Sequence, residues 1–448
     1  MKNTERQVAL AAIREILEDG AYSNVALRRI LAAENHLNPV QKAFVTELAL
    51  GVVRNLLLID HIISAFSKTP VNRIKPTILN ILRISVYQIK FMDKVPAHSA
   101  CDEAVKMVKK HGFAGLSGFV NGVLRNIARS EVLPPPPCEN ADLTAHLSIR
   151  HSTQPWIVRH FLDDLGVKTT KTLLENTAQP PKTTICVNTN KTTTAQLIQI
   201  LEAEGVTVES ALLPNMLAIG KTADIAALPS FTQGLYHIMD VSAALAVHCA
   251  NPPENARIMD ICAAPGGKSF LSSYLAGEGA KITACDIHPH KIRLLRAGAA
   301  RLGISNFQTQ QADAQIYRPE LEQTADLLIM DMPCSGLGTL RRKPDIKLNK
   351  QPDSIQALAK ISREIFVASW QYARVGGKIL FSTCTLTNAE NADNFKWMLD
   401  NFPLRAVDIS HKIPAGLNKT TAQQGYLQLL PQDLDGDGFF VAVLERLE

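Results

Sequence analysis

Apolar residues recur at helical spacing through the first 130 positions. Val8, Ala12 and Ile16, with Ile13 and Leu17, make one stripe. The apolar-periodic run from Val40 to Phe66 predicts two helices or one bent helix. Thr77 to Phe91, Ala100 to His111 and Gly115 to Ala128 follow with the same spacing, and no strand-like alternation interrupts them. Pro134 to Pro137 then end any helix and stiffen the chain. They mark the predicted boundary of a first, all-α domain, residues 1–138.

The texture then changes. Thr183 to Val187 is short and β-branched, Ala195 to Gly205 is an amphipathic helix closed by glycine, and Val206 to Val208 and Met216 to Ile219 read as strands. This predicts a small α+β domain over 139–235. From 236 onward strands and helices alternate, the signature of a mostly parallel α/β sheet. Strands are predicted at 257–261, 281–286, 307–309, 326–331, 378–382 and 439–444, with helices at 267–278, 288–302, 354–374 and 388–400. The predicted architecture is thus a multidomain chain ending in a Rossmann-like α/β domain, residues 236–448.

Composition narrows the classes. Of 448 residues, 46% are hydrophobic and 20% charged, which excludes wholesale disorder. No apolar run approaches the ~18 residues of a membrane span. Glu5, Glu15, Glu18 and Asp19 stand where a signal peptide would need its apolar run, so a cytoplasmic address is expected. The eight cysteines include no C-x-x-C pair, so neither a zinc site nor a disulfide framework is expected. Residues 1–138 carry 18 Lys+Arg against 11 Asp+Glu, while the remainder carries 29 against 31. A basic first domain suits a polyanion; on charge alone a helical domain with surplus lysine explains it as well.

The chemistry gathers at strand ends. Cys262, Ala263, Ala264, Pro265, Gly266, Gly267 and Lys268 follow the first α/β strand and open a helix. In open α/β sheets ligands bind at this edge. The run matches neither the dinucleotide fingerprint nor the P-loop, and alone it reads as a tight turn. It is accompanied by Asp260, Asp286, Asp313 and Asp331, each at or just past a strand end. One such acid is usually a cap or turn residue. Four in succession point to a nucleoside: Asp286 is placed for ribose hydroxyls and Asp313 for an adenine amino group. A cofactor without pyrophosphate fits better than a nicotinamide dinucleotide, and cationic S-adenosylmethionine suits carboxylates.

Cys334, in Asp331-Met332-Pro333-Cys334-Ser335-Gly336, and Cys384, in Ser382-Thr383-Cys384, fall at the same edge. A strand cysteine is more often core than catalyst; two beside a cofactor turn shift that balance. The C5 carbon of a pyrimidine is a poor nucleophile. A thiolate adding at C6 makes an enamine whose C5 can take a methyl group. Asp331 is the candidate to stabilise such an adduct. Arg341, Arg342 and Lys343, a few residues beyond Cys334, are candidates for phosphate contact, against the alternative of a solvated loop.

At these residues a resemblance becomes specific. CAAPGGK, D-x-PCSGxG, RRxPDI and STC resemble the S-adenosylmethionine-dependent RNA cytosine-C5 methyltransferases, as does the closing run from Gly436 to Phe440. Residues 118–129, GFVNGVLRNIAR, make the first domain look like a NusB-type helical RNA-binding domain. That pairing is similar to bacterial enzymes acting on 16S ribosomal RNA. The resemblance implies that Cys262 to Lys268, Asp286, Asp313 and Asp331 hold S-adenosylmethionine. It implies that Cys384 attacks the base, Cys334 assists release, and Lys268 lies near the target base; chemistry alone leaves the two cysteines interchangeable. The expected partner is 16S rRNA, with neither metal nor membrane, and the default assembly is a monomer. Met332, between the acid and the proline, and His237 to Asp240, where a glutamine is usual, depart from the pattern. Three alternatives remain: the same chemistry on transfer RNA or another rRNA site, a non-catalytic RNA assembly factor, and a nicotinamide dehydrogenase. The missing glycine fingerprint disfavours the last.

Overall fold

The computed structural model describes residues 3–179, 181–220, 225–417 and 420–448. The chain divides into two compact units. One comprises residues 1–179 together with 343–350, the other 180–342 with 351–448.

The first unit is helical: α1 Glu5–Leu17, α2 Ser23–Ala33, α3 Pro39–Arg54, α4 Leu56–Phe66, α5 Pro76–Phe91, α6 Ala97–Lys110, α7 Ser117–Arg129, α8 Leu143–Arg150 and α9 Pro155–Asn176. α3 shows why helices begin where they do. The Asn38 side chain accepts the Gln41 amide at 3.0 Å, the Gln41 side chain accepts the Asn38 amide at 3.0 Å, and Pro39 opens the first turn. The Val40–Phe66 run proves to be two helices, α3 and α4, bent by 76°. Among the described residues no single helix is long and apolar enough to cross a membrane; this bent pair is apolar because it lies in the core, where Val45, Leu48, Val52, Ile59 and Ile62 are wholly buried.

The four prolines lie inside this unit, and the division of the chain falls after Gln179. Helices beyond the prolines return to those before them: the Leu57 amide donates to Ser152 Oγ at 2.7 Å, and a His61 ring nitrogen is 2.9 Å from Pro135 O. The single-turn helix Ile346–Asn349 belongs to the same unit. The Ser23 hydroxyl is bonded to the Asp345 carboxylate, and buried Lys347 donates to His151 O at 3.0 Å.

The second unit holds two sheets. The smaller contains β1 Thr183–Val187, β2 Val208–Ser210, β3 Met216–Ile219 and β4 Tyr236–Ile238, antiparallel in the order β2-β3-β1-β4, with α10 Thr194–Ala203. The larger follows α11 Val241–Ala250 and runs β5 Arg257–Asp260, α12 Gly267–Ala276, β6 Lys281–Asp286, α13 Pro289–Leu302, β7 Phe307–Gln311, β8 Ala325–Asp331, α14 Asp353–Ser369, β9 Ala373–Thr383, α15 Ala392–Asn401, β10 Leu404–Ala406, β11 Tyr426–Leu429 and β12 Phe439–Arg446. Its order is β10-β12-β9-β8-β5-β6-β7, with β11 also pairing β12. β5 to β9 are parallel, while β12 enters antiparallel beside β9.

Successive side chains of a strand face opposite ways. Ile258, Leu327, Ile329 and Leu380 accordingly join one buried cluster with α11 and α12, while Met259, Leu328, Met330, Ile379 and Phe381 join another with α14 and α15. A sheet covered on both faces leaves only the strand ends open for chemistry.

Candidate active site

β5 pairs with β6 on one side and β8 on the other. The chain order therefore reverses at β5, and the carboxyl ends of these strands frame a crevice. Asp260, Asp286 and Asp331 close β5, β6 and β8, and Cys384 follows β9 directly. The structure thus gathers the predicted residues at one edge. Two amides pin the turn after β5: Ile261 N donates to Ile329 O at 3.1 Å and Ala263 N to Cys285 O at 2.8 Å. Gly266 takes φ +111°, and a Cβ there would lie 2.5 Å from the Phe270 ring, so a side chain is excluded twice. His237 and Met239 form the wall behind this turn. Met239 lies 3.6 Å from where a Gly267 Cβ would stand, and His237 stacks edge-on against Phe270 with ring centroids 5.6 Å apart. Burial pushes the His237 pKa down to about 3, so the ring is neutral.

The carboxylates differ in setting. Asp260 is fully enclosed and accepts the Ser269 hydroxyl at 2.6 Å; burial pushes its pKa up to about 7, and Asp331 nearby adds to the rise. Asp286 accepts the His288 amide at 3.0 Å and faces Lys291 at 3.4 Å. The Ala312 amide donates to Asp286 O at 3.1 Å, which draws Asp313 to this end of the sheet, where it accepts the Gln315 amide at 3.0 Å. Burial, then the charges of Asp260, Asp331 and Asp286, raise the Cys262 pKa, so this thiol lines the turn without being reactive. Asp286, Asp313 and Asp331, at or just past three strand ends around a turn of small residues, suit ribose hydroxyls and a cationic sulfonium. The donor set fits S-adenosylmethionine.

The other half of the crevice is a polar network. Lys268 Nζ lies 2.8 Å from Asp331 Oδ2 and 4.9 Å from the Phe439 ring centroid. Asp331 Oδ1 also accepts the Ser382 hydroxyl at 2.8 Å. Cys334 Sγ and Cys384 Sγ are 3.4 Å apart. Hydrogen bonding to Cys384, then burial, then the negative groups around it hold the Cys334 pKa well above its ordinary value. The strand-end loops meet closely: Gly338 N donates to Cys384 O at 3.0 Å and Gly438 N to Gly338 O at 2.8 Å. A Cβ on Gly338 would lie 2.0 Å from Gly438 O.

Sequence reasoning missed the centre of this network. Glu390, buried, accepts the Ser335 amide and the Ser335 hydroxyl at 2.6 Å each and the Thr387 hydroxyl at 2.7 Å. Asn391 beside it accepts the Thr383 hydroxyl at 2.6 Å and donates to Thr385 O at 3.1 Å. The residue spacing around Glu390 carries no motif; only the crowd of Ser and Thr near both cysteines hinted that an acceptor was needed.

The basic triplet is divided. Arg341 is buried and paired with Asp435 at 2.8 Å. Arg342 pairs with Asp240 at 2.7 Å and Asp437 at 3.0 Å, which also explains Asp240 in the departing His237 to Asp240 run. The two arginines therefore brace their own loops against carboxylates. Lys343 is exposed and belongs to the helical unit. A cavity of about 500 Å³ opens at the opposite, amino-terminal strand edge, lined by Arg257, Lys281, Asn306 and Thr324, and holds none of these groups.

Three family models match the chain: the 16S rRNA methyltransferase RsmB/F family over residues 247–445, the NusB family over 3–129, and an RsmF/B-like ferredoxin-like domain over 154–226. The probable ribosomal RNA small subunit methyltransferase B of Bacillus subtilis is 32% identical, covering 99% of both chains. The chain belongs to this family. The corresponding protein of Synechocystis is also 32% identical, over 98% of this chain and 99% of its own. A ribosomal RNA small subunit methyltransferase B of Vibrio cholerae is 29% identical, over 98% and 97%. The crystal structure of PH0851 shares the fold, with TM-score 0.81 at 23% identity over 99% of this chain and 98% of that one. Family membership makes the catalytic unit that of an S-adenosylmethionine-dependent methyltransferase, as the donor set indicates.

Proposed function

We propose that the chain methylates C5 of a specific cytosine in 16S rRNA, in the cytoplasm, through a covalent bond from Cys384 to C6 of the base. One observation carries this reading: two thiols 3.4 Å apart at adjacent strand ends, beside a Lys268–Asp331 ion pair. A pyrimidine edge needs a nucleophile at C6, an acid-base partner at N3 and a base at the C5 proton, all within a few ångströms. S-adenosylmethionine, when bound, supplies the electrophilic methyl group.

The side chains divide the work. The Cys384 thiolate adds to C6, and the electron pair moves toward C5. Asp331, steadied by Lys268 and Ser382, accepts from the exocyclic amine of the base, and the Lys268 ammonium beside it offsets the negative charge that develops at N3. Cys334, whose raised pKa keeps it a thiol while Cys384 attacks, gives its own proton to solvent once the base is bonded to Cys384, and its thiolate then takes the C5 proton after methylation. The C5–C6 double bond re-forms and the Cys384 thiolate departs. The target base must leave its stack to reach this crevice. The NusB-like domain, with the surplus of positive charge, is the expected RNA anchor, and exposed Lys343 is left free to meet a phosphate.

The test is to delete the gene and map 5-methylcytosine across total RNA by bisulfite sequencing, with wild-type and Cys384→Ala rescue. Loss of one 16S site, restored only by wild type, is expected. A lost transfer RNA site with an unchanged 16S pattern would move the substrate and keep the chemistry.

A further inference from the structure

We propose that Glu390 is a positioning residue for the release step: it holds the Pro-Cys loop so that Cys334 stays within reach of the base bonded to Cys384. The inference rests on the two-cysteine reading above and extends it to a residue outside both cysteine motifs.

The argument is one of anchorage. The residue after Cys334, Ser335, is gripped twice by the Glu390 carboxylate, through its amide and its hydroxyl, at 2.6 Å each. The same carboxylate accepts Thr387 Oγ1 at 2.7 Å, and the Ser335 and Thr385 hydroxyls meet at 2.6 Å. One buried carboxylate thereby joins the loop that follows β8 to the loop that follows β9. Hydrogen bonds to a charged acceptor are shorter and stronger than neutral ones, and a buried carboxylate with several donors is a stiff junction.

Cys384 has other supports. Thr383 is paired with Phe440 of β12 and donates to Asn391 at 2.6 Å, and Asn391 donates in turn to Thr385 O at 3.1 Å, so the residues on both sides of Cys384 are held. Loss of Glu390 therefore frees the Cys334 side more than the Cys384 side. The negative charge of Glu390 also contributes to keeping the Cys334 proton affinity high.

The discriminating variants are Glu390→Ala, Glu390→Gln and Cys334→Ala. They are assayed as full-length protein with a 16S rRNA transcript and methyl-labelled S-adenosylmethionine. Single-turnover methyl transfer, steady-state turnover and RNA–protein adduct on denaturing gels are followed together. For Glu390→Ala the expectation is a fall of about tenfold or more in turnover, a change of less than about threefold in single-turnover transfer, and accumulation of adduct. Glu390→Gln keeps an acceptor for the Ser335 amide, and its amide can donate to the rotatable hydroxyls, so it should restore most of the turnover. Thr387→Val, which removes one bond and leaves Ser335 gripped, should stay near wild type. If Cys334→Ala traps adduct and Glu390→Ala slows both phases equally without trapping any, the proposal fails and the residue is merely structural. If Cys334→Ala traps none, the two-cysteine reading fails instead.

Discussion

On the β5–β6 side of the crevice, backbone fixes position: amides from Ile261, Ala263 and Ala312 reach neighbouring strands, and Gly266 turns where no side chain fits. On the β8–β9 side, buried side chains do it: Glu390, Asn391, Ser335, Thr383, Thr387 and Ser382 are linked hydroxyl to acceptor. The difference matches the work proposed for each side. A cofactor brings its own donors and acceptors, so its side presents carboxylates and leaves the partner to complete them. A covalent reaction needs its groups held before the substrate arrives, and a fully satisfied polar network provides that.

The sharpest break of this comparison is Cys384→Ala. It should lower methyl transfer by about a thousandfold or more while leaving urea unfolding almost unchanged, because the side chain is only half-buried and small. Gly338→Ala strikes the network through packing. Its methyl group would meet Gly438 O, so a loss of ~2–3 kcal/mol in urea unfolding and a clear drop in turnover are expected. The equivalent change at Gly267, where the nearest side chain stands at 3.6 Å, should be tolerated far better.

Asp260 tests the cofactor side through pH. Its folded pKa of about 7 lies above the unfolded value of 3.8, so the native state keeps a proton that the unfolded chain has already lost between those limits. Stability should therefore fall as pH rises from about 4 to about 7, by an amount on the order of 4 kcal/mol. Asp260→Asn, which can still accept from Ser269, should flatten that slope in unfolding measured at pH 5 and pH 8. The smallest effects concern the basic triplet. Arg341→Ala should cost on the order of 1 kcal/mol, since its partner Asp435 is largely exposed. Lys343→Ala should leave stability alone, weaken RNA binding a few-fold and lower the salt slope by about one.

The α/β half was legible because buried parallel strands leave continuous apolar runs and their ends leave acids and small residues. β6 runs from Lys281 to Asp286, as its pattern predicts. β10 and β11 escaped notice: three and four residues are too few to show alternation. α2 was hidden because Tyr22 offers no side-chain cap and only Ser23, Ala26 and Leu27 are buried. Glu390 was illegible for a different reason. Its local sequence resembles the polar start of a helix, and the donors that make burial tolerable include Ser335, 55 residues earlier. The ion pairs of the arginines were illegible for the same reason: beside Cys334 in sequence they suggest phosphate, and the carboxylates that hold them come from positions near 240 and 436.

The helical unit includes a piece of chain made late. Asp345 and Lys347 seat against Ser23 and His151, and burial pushes the Lys347 pKa down to about 7. A ribosome that has finished Gln179 must still add the residues up to Lys350. At roughly 5–20 residues per second that is a delay of about 10 to 35 s. During synthesis the first unit to emerge is therefore completed only after more than half of the second has been made. A transcript truncated before position 343 yields helices with an open seat where that segment belongs.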